Sequence, residues 1–125
     1  MDVTPLIRSG QQIIQSYSGG RFRVSGAVYE GALIVMPEGS QRWDFAGEVA
    51  DLSEPDFVPL IEQAAEIDVV LLGCGATIQF LSSNLKNALK ACGLNVEVMD
   101  SGAACRTYNV LMADGRRVAA ALLPF

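Results

Sequence analysis

The sequence contains no histidine. That absence removes Ser-His-Asp and Cys-His nucleophile activation, imidazole acid–base catalysis and histidine-based zinc sites together. Cysteine is sparse and odd in number. Cys74, Cys92 and Cys105 form no C-x-x-C pair, so neither a disulfide scaffold nor a zinc knuckle is indicated, and no metal site is expected. No apolar run approaches the ~20 residues a membrane-spanning helix needs. The opening segment MDVTPLIRSG lacks both the basic-then-apolar order of a secretory signal and the Arg-rich pattern of a transit peptide. A protein that does not span a membrane and stays in the cytoplasm is the expectation. Positive charge is scarce as well: nine Lys and Arg face 14 Asp and Glu, for a net charge of -5. From Asp44 to Asp68 there are eight carboxylates and no Lys or Arg. Such a face repels a phosphate backbone, which argues against nucleic-acid binding. It reads as a solvated acidic surface or as a patch for a basic partner.

What is present is the composition of a packed globule. Half of the 125 residues are apolar and 18% are charged, enough to bury one core. The chain reads as one domain over residues 1–125: an N-terminal extension (1–10), a β-rich part (11–50) and a part of alternating helices and strands (51–125). In the β-rich part, QQIIQSY is a short β-like run. Strand candidates then follow at Phe22–Val24, Ala27–Tyr29, Ala32–Met36 and Gln41–Phe45, punctuated by Gly26, Gly31 and the turn Pro37–Ser40. Arg21, Arg23 and Ser25 alternate with Phe22 and Val24, the period of a half-buried antiparallel strand. Trp43 reads as a core anchor of this meander.

From Leu52 the period changes. Ser53 is placed to cap a helix on which Phe57, Leu60, Ile61, Ala64 and Ala65 share one face. The apolar run Asp68–Leu72 has the length of a strand covered on both sides. A second helix is expected over Ile78, Leu81, Leu85, Ala88, Leu89 and Cys92, ending at Gly93. NVEVM is a strand. A third helix, with Ser101 as a cap, runs to about Asp114 and stops at Gly115. RRVAAALLPF closes the chain as a buried strand. Alternation of this kind specifies an α/β sheet with helices packed on it.

Three features can carry chemistry. The first is the turn LLGCGA. Gly73 and Gly75 match the start of a dinucleotide fingerprint, but Ile78 stands where its third glycine belongs and no Gly-Lys-Ser/Thr follows, so no cofactor is expected. The turn serves tight packing or presents backbone N–H groups of Gly73, Gly75 and Ala76 to a carboxylate, phosphate or peptide. The second is Asp100 with Ser101 at a strand end, where Asp100 caps a helix, bridges to an Arg or acts as a general base. If the two strands are parallel neighbours, GCGA and DSGA share one edge. The third is helix residues 101–114. Cys105 falls on the apolar face with Ala104, Tyr108, Leu111 and Met112, whereas Arg106 and Asn109 fall off it. A first-turn thiol beside a guanidinium is reactive if exposed and inert if buried. Arg106 and Asn109 are candidates for polar contacts to a ligand, a partner or Asp100.

These motifs resemble a known family. VVLLGCGA followed by GLNVEVMDSGAACRTYNVLMADGRRVAAALLPF is similar to a family of small, mostly uncharacterised α/β proteins (an Mth-type domain of unknown function) that includes mitochondrial respiratory complex I assembly factor 3. The matching residues are Gly73, Gly75 and Ala76; Ser101, Ala104, Thr107, Tyr108, Asn109 and Leu111; Gly115 and Arg116; and Ala119 to Leu122. Cys74 and Ser101 stand where threonine-type residues are commoner, and Asp114 where Glu is. The resemblance implies three layers: a central mixed sheet of about five strands, helices on one side and a β-rich N-terminal layer on the other. It implies no catalytic residues and, through the eukaryotic branch, a role in assembly by protein–protein contact. The expected function is therefore a non-catalytic binding or assembly factor with a protein partner. The alternative is a small enzyme or small-anion binder using the Gly73–Ala76 and Asp100–Arg106 edge, with Cys105 as its thiol. The short strands near Phe22–Met36 also offer an open edge for pairing with a second copy.

Overall fold

The computed structural model of this chain describes residues 11–125; the expected N-terminal extension lies outside the described residues. Its first three strands, β1 (Ile14–Ser18), β2 (Arg21–Val24) and β3 (Ala27–Glu30), form an antiparallel sheet in the order β1-β2-β3. The remaining strands are β4 (Leu33–Met36), β5 (Gly39–Arg42), β6 (Val69–Gly73), β7 (Val96–Met99) and β8 (Val118–Leu122). They make a mixed five-stranded sheet in the order β5-β4-β8-β6-β7. β8 runs parallel to β6 and antiparallel to β4, and β6 runs parallel to β7. The α/β class and the five-stranded mixed sheet are as the sequence and its resemblance indicated.

Pleating divides the core into two layers. Ile34, Val70, Leu72, Ala119 and Ala121 face one side of the large sheet, where they meet Trp43, Phe57, Leu60 and Leu89. Leu33, Val35, Leu71, Val118, Ala120 and Leu122 face the other, against Phe22, Val24, Cys105 and Tyr108. β8 is buried along its whole length because both faces are covered, and its run of alanines lets the two layers approach closely. The first layer is built by the short helix α1 (Val58–Ile61) and by α2 (Ser83–Ala91). The second is shared by the small sheet and α3 (Ser101–Ala113), so one helix lies on the β-rich side.

Two helices begin elsewhere than expected. The run from Ser53 breaks into a 3₁₀ turn (Glu54–Phe57), a single α-turn and a second 3₁₀ turn (Ala64–Glu66). Pro59 has no N–H to give Pro55, and its ring crowds the carbonyl four residues back. Phe57 and Leu60 are nevertheless fully buried, and Trp43 stands beside Phe57 with ring centroids 5.6 Å apart. The second difference is at residues 76–82. These belong to no helix or strand, and α2 starts only after Ser82, whose hydroxyl accepts a bond from the Leu85 N–H at 3.2 Å. Ile78 is therefore outside the helix. β5 begins at Gly39, inside the stretch read as a turn. The stops at Gly93 and Gly115 hold, both with left-handed backbone.

Candidate functional site

β6 and β7 are parallel neighbours with Gly73 opposite Met99, so the bends that follow them emerge at one edge. The bends are joined by backbone bonds. Cys74 N–H donates to the Met99 carbonyl and Ser101 N–H to the Gly75 carbonyl, each at 2.8 Å. The Ser101 hydroxyl completes the joint: it accepts from the Gly75 N–H at 2.8 Å and donates to the Leu123 carbonyl at 2.6 Å. One fully buried hydroxyl thereby ties the ends of β6, β7 and β8 together. Gly73 makes this approach feasible, because a Cβ there would lie 2.8 Å from Ser101 Oγ and 2.9 Å from Ser101 Cα. Gly75 turns with φ at 96°, a conformation that glycine adopts without penalty. Ala76 is exposed beside the joint.

Asp100 and Ser101 divide their roles differently from the sequence reading of Ser101. Asp100 has the extended backbone of an N-cap, and its Oδ1 accepts from the Ala103 N–H at 2.7 Å. Ser101 is already inside the helix, and its hydroxyl points under the first turn toward Leu123. Cys105 is buried with 1% of its surface exposed, on the apolar face of α3. Burial pushes its thiol up to about 12; the Arg106 guanidinium opposes that and the Asp100 carboxylate adds to it. Near neutral pH the sulfur is a protonated, inert core group.

Asn109 and Arg106, both off the apolar face, do different work. The Asn109 amide accepts from the Ile14 N–H at 2.9 Å and donates to the Ile14 carbonyl at 2.7 Å. It thus covers the outer edge of β1 and splints the small sheet to α3. Arg106 is exposed and donates through one guanidinium nitrogen to the Tyr17 hydroxyl at 2.6 Å. Tyr17 in turn stands against Phe125 with ring centroids 5.3 Å apart. Nothing in the local pattern of QSYSGG singled Tyr17 out; the contact spans 89 residues. The Tyr108 hydroxyl donates to the Gln12 carbonyl at 3.0 Å, and burial holds the phenol well above its usual range.

Two concavities lie elsewhere. One of about 340 Å³ sits on the small sheet between Ser16, Ser18, Arg21, Arg23 and Val28. Another of about 280 Å³ adjoins Glu38, Gly39, Ser40, Gln41 and Gln63. Neither is lined by Gly73, Asp100, Cys105 or Arg106. Among the described residues no three His, Cys, Asp or Glu side chains converge as a metal ion requires. No helix among them is long and apolar enough to cross a membrane. In the acidic stretch Arg117 meets Asp68 at 2.8 Å and, by its hydrogen bonds, holds that carboxyl below the usual range.

The family described as "Protein of unknown function (DUF498/DUF598)" matches residues 14–123. The chain belongs to this family. An uncharacterised protein of Rhodobacter capsulatus is 38% identical over 116 residues, covering 93% of this chain and 87% of that one. NADH dehydrogenase (ubiquinone) 1 alpha subcomplex assembly factor 3 of Danio rerio is 34% identical over 93% of this chain, which spans 66% of that relative's length. A crystal structure of a Bordetella parapertussis protein superposes with a TM-score of 0.83 at 35% identity, covering 94% of this chain and 98% of that one. Within this fold the family-like residues include a buried joint (Gly73, Gly75, Ser101), a splint (Asn109) and the exposed Ala76.

Proposed function

We propose that the protein is a non-catalytic assembly factor, a single domain that binds a protein partner along the edge formed by the Gly73–Ala76 and Asp100–Arg106 bends. One observation carries this reading: the groups at that edge with chemical potential are committed to the fold. Ser101 bridges Gly75 and Leu123, Asp100 caps α3, Asn109 holds Ile14, and the Cys105 thiol is buried and protonated. What remains on the outside is a firm surface, with Arg106 as its charged feature and its side chain positioned by Tyr17. A surface fixed in advance loses little conformational entropy on binding, which favours recognition over turnover.

The relatives named as assembly factor 3 of NADH dehydrogenase support the same reading. They motivate partners among the proteins of a respiratory complex under construction. Quantitative co-purification from the native host, at modest salt, tests it with Arg106→Ala against the unaltered protein. A partner whose recovery falls about tenfold or more, while the melting temperature stays within a few degrees, is the expected result. Equal recovery of every co-purifying protein would remove the edge from consideration. A thiol enzyme working through Cys105 would need a thiolate that burial withholds.

A further inference from the structure

The outer face of the small sheet carries a charge opposite to that of the chain as a whole. Residues opposite one another in the register share a face, so Ser16, Arg23 and Val28 form one row and Ser18, Arg21 and Glu30 the next. All six are exposed, while Phe22 and Val24 point the other way into the core. Ser16, Ser18, Arg21, Arg23 and Val28 line one concavity of about 340 Å³, open to solvent. Residues 11–37 contain two basic groups, Arg21 and Arg23, and a single carboxylate, Glu30, in a protein of net charge -5. That carboxylate is engaged: Arg21 Nε donates to Glu30 Oε1 at 3.0 Å. The bond orients the guanidinium and leaves its terminal nitrogens without an acceptor among the described residues. Arg23 and the hydroxyls of Ser16 and Ser18 have no partner among them either. The concavity thus holds hydrogen-bond donors in excess of acceptors, with Val28, 60% exposed, as its apolar side.

We infer that this face receives an acidic segment of the protein partner, bound in extended form with carboxylates on alternate residues. The inference rests on the assembly role proposed above and names the chemistry of what that role engages. Charge selects the occupant first: unmatched guanidinium and hydroxyl donors call for an anion, and the planar guanidinium fork suits a carboxylate. Spacing selects its form. Arg21 and Arg23 stand two residues apart on β2, about 7 Å along the strand, and side chains i and i+2 of an extended segment repeat at that same interval. One carboxylate therefore meets each arginine, and an open concavity admits a chain lying across it. The face also adjoins the edge that carries Arg106. Tyr17, whose hydroxyl holds the Arg106 guanidinium, stands on β1 between Ser16 and Ser18, so edge and face meet along one strand.

The test is site-specific photo-crosslinking of the full chain in its native host. p-Benzoylphenylalanine replaces Val28, which lines the concavity, in one strain and, as reference, Val110, which is exposed on α3, in another. Adduct sites are mapped by mass spectrometry. The crosslinked partner segment is then made as a free peptide and titrated into the purified chain and its Arg23→Gln, Arg23→Glu and Arg116→Gln variants; Arg116 is an exposed arginine beyond α3. Expected is a protein adduct from position 28 and not from 110, in a segment with Asp or Glu at alternate positions. Arg23→Gln should weaken the peptide about three- to tenfold and Arg23→Glu further, Arg116→Gln should not, and affinity should fall as salt rises. A lipid or nucleic-acid adduct, a self-adduct, no adduct, a segment without the alternating acids, or a peptide bound equally well by Arg23→Glu overturns the inference. If the partner is lost with Arg106→Ala and kept with Arg23→Glu, the edge stands and this face falls. If it is lost only with Arg23→Glu, the face stands and the edge falls. If both variants keep it, both fall.

Discussion

Replacing Gly73 with alanine presses on the joint where three strand ends meet. A Cβ at this position would lie 2.8 Å from Ser101 Oγ, 2.9 Å from Ser101 Cα and 3.0 Å from Leu122 Cδ2. The second of these is backbone at the first turn of α3, which cannot swing aside as a side chain does. Overpacking of this kind costs about 1–3 kcal/mol. If the joint relaxes by displacing the Ser101 hydroxyl, the Gly75 N–H and the Leu123 carbonyl lose their partner, at about 1–3 kcal/mol for each buried group left unmatched. Gly73→Ala should therefore destabilise the protein by about 2–5 kcal/mol, a large share of the roughly 5–15 kcal/mol typical of a domain. Urea unfolding followed by tryptophan fluorescence measures this, since Trp43 is buried in the core. Ser101→Ala removes the nearest contact and leaves the backbone one, so the cost of Gly73→Ala should fall by about 1 kcal/mol in that background. Gly39→Ala is the control: its Cβ would meet nothing within 4 Å, and a change under about 0.5 kcal/mol is expected. A Gly73→Ala protein as stable as the Gly39→Ala control would refute the joint.

Other outcomes follow from the same contacts. Asn109→Ala removes both bonds to Ile14 and should cost about 1–3 kcal/mol, with faster hydrogen exchange at the Ile14 amide than at amides of β6. Asn109→Asp should rescue little, because a carboxylate cannot donate to the Ile14 carbonyl. Folded Cys105 should resist alkylation at pH 8 while the guanidinium-unfolded chain reacts at all three cysteines. The Cys105 thiol also imposes a sign on pH dependence. Its folded value of about 12 lies above the ordinary 9.0, so the stability it confers is complete below about pH 9 and is lost as pH rises toward 12. The slope reaches about 1.4 kcal/mol per pH unit, and Cys105→Ala should flatten that part of the curve. Tyr108→Phe leaves the Gln12 carbonyl without the phenol and should cost about 1 kcal/mol.

The alternation of buried runs and amphipathic segments from Leu52 onward was enough to place β6, β7, β8 and α3, because each of those elements is covered on a side that its residue pattern declares. The parallel pairing that brings GCGA and DSGA together was a condition that the alternation left open, and β6 and β7 meet it. Where the reading diverged, long-range contacts or proline decided. Apolar spacing through Ile78 and Leu81 matches a helix by count, yet Ile78 and Phe80 are exposed, Gln79 and Leu81 are half-buried, and the helix begins only after the Ser82 cap. The spacing of Phe57, Leu60 and Ile61 indicated a helix without regard to Pro59, which breaks the run after Phe57. Cap identity at Asp100-Ser101 depended on a carbonyl 22 residues away, at Leu123, which no local pattern discloses. For the same reason Asn109 read as a free polar group: its partner is Ile14, 95 residues earlier.

Genetic replacement separates a surface from a reaction most directly. In the native host, with the chromosomal copy exchanged for Cys105→Ala or Arg106→Ala, assembled NADH dehydrogenase is quantified on native gels alongside the level of the variant protein. The account predicts full assembly with Cys105→Ala and a marked loss with Arg106→Ala at equal protein levels. Assembly abolished by Cys105→Ala and untouched by Arg106→Ala, with both proteins folded, would contradict it.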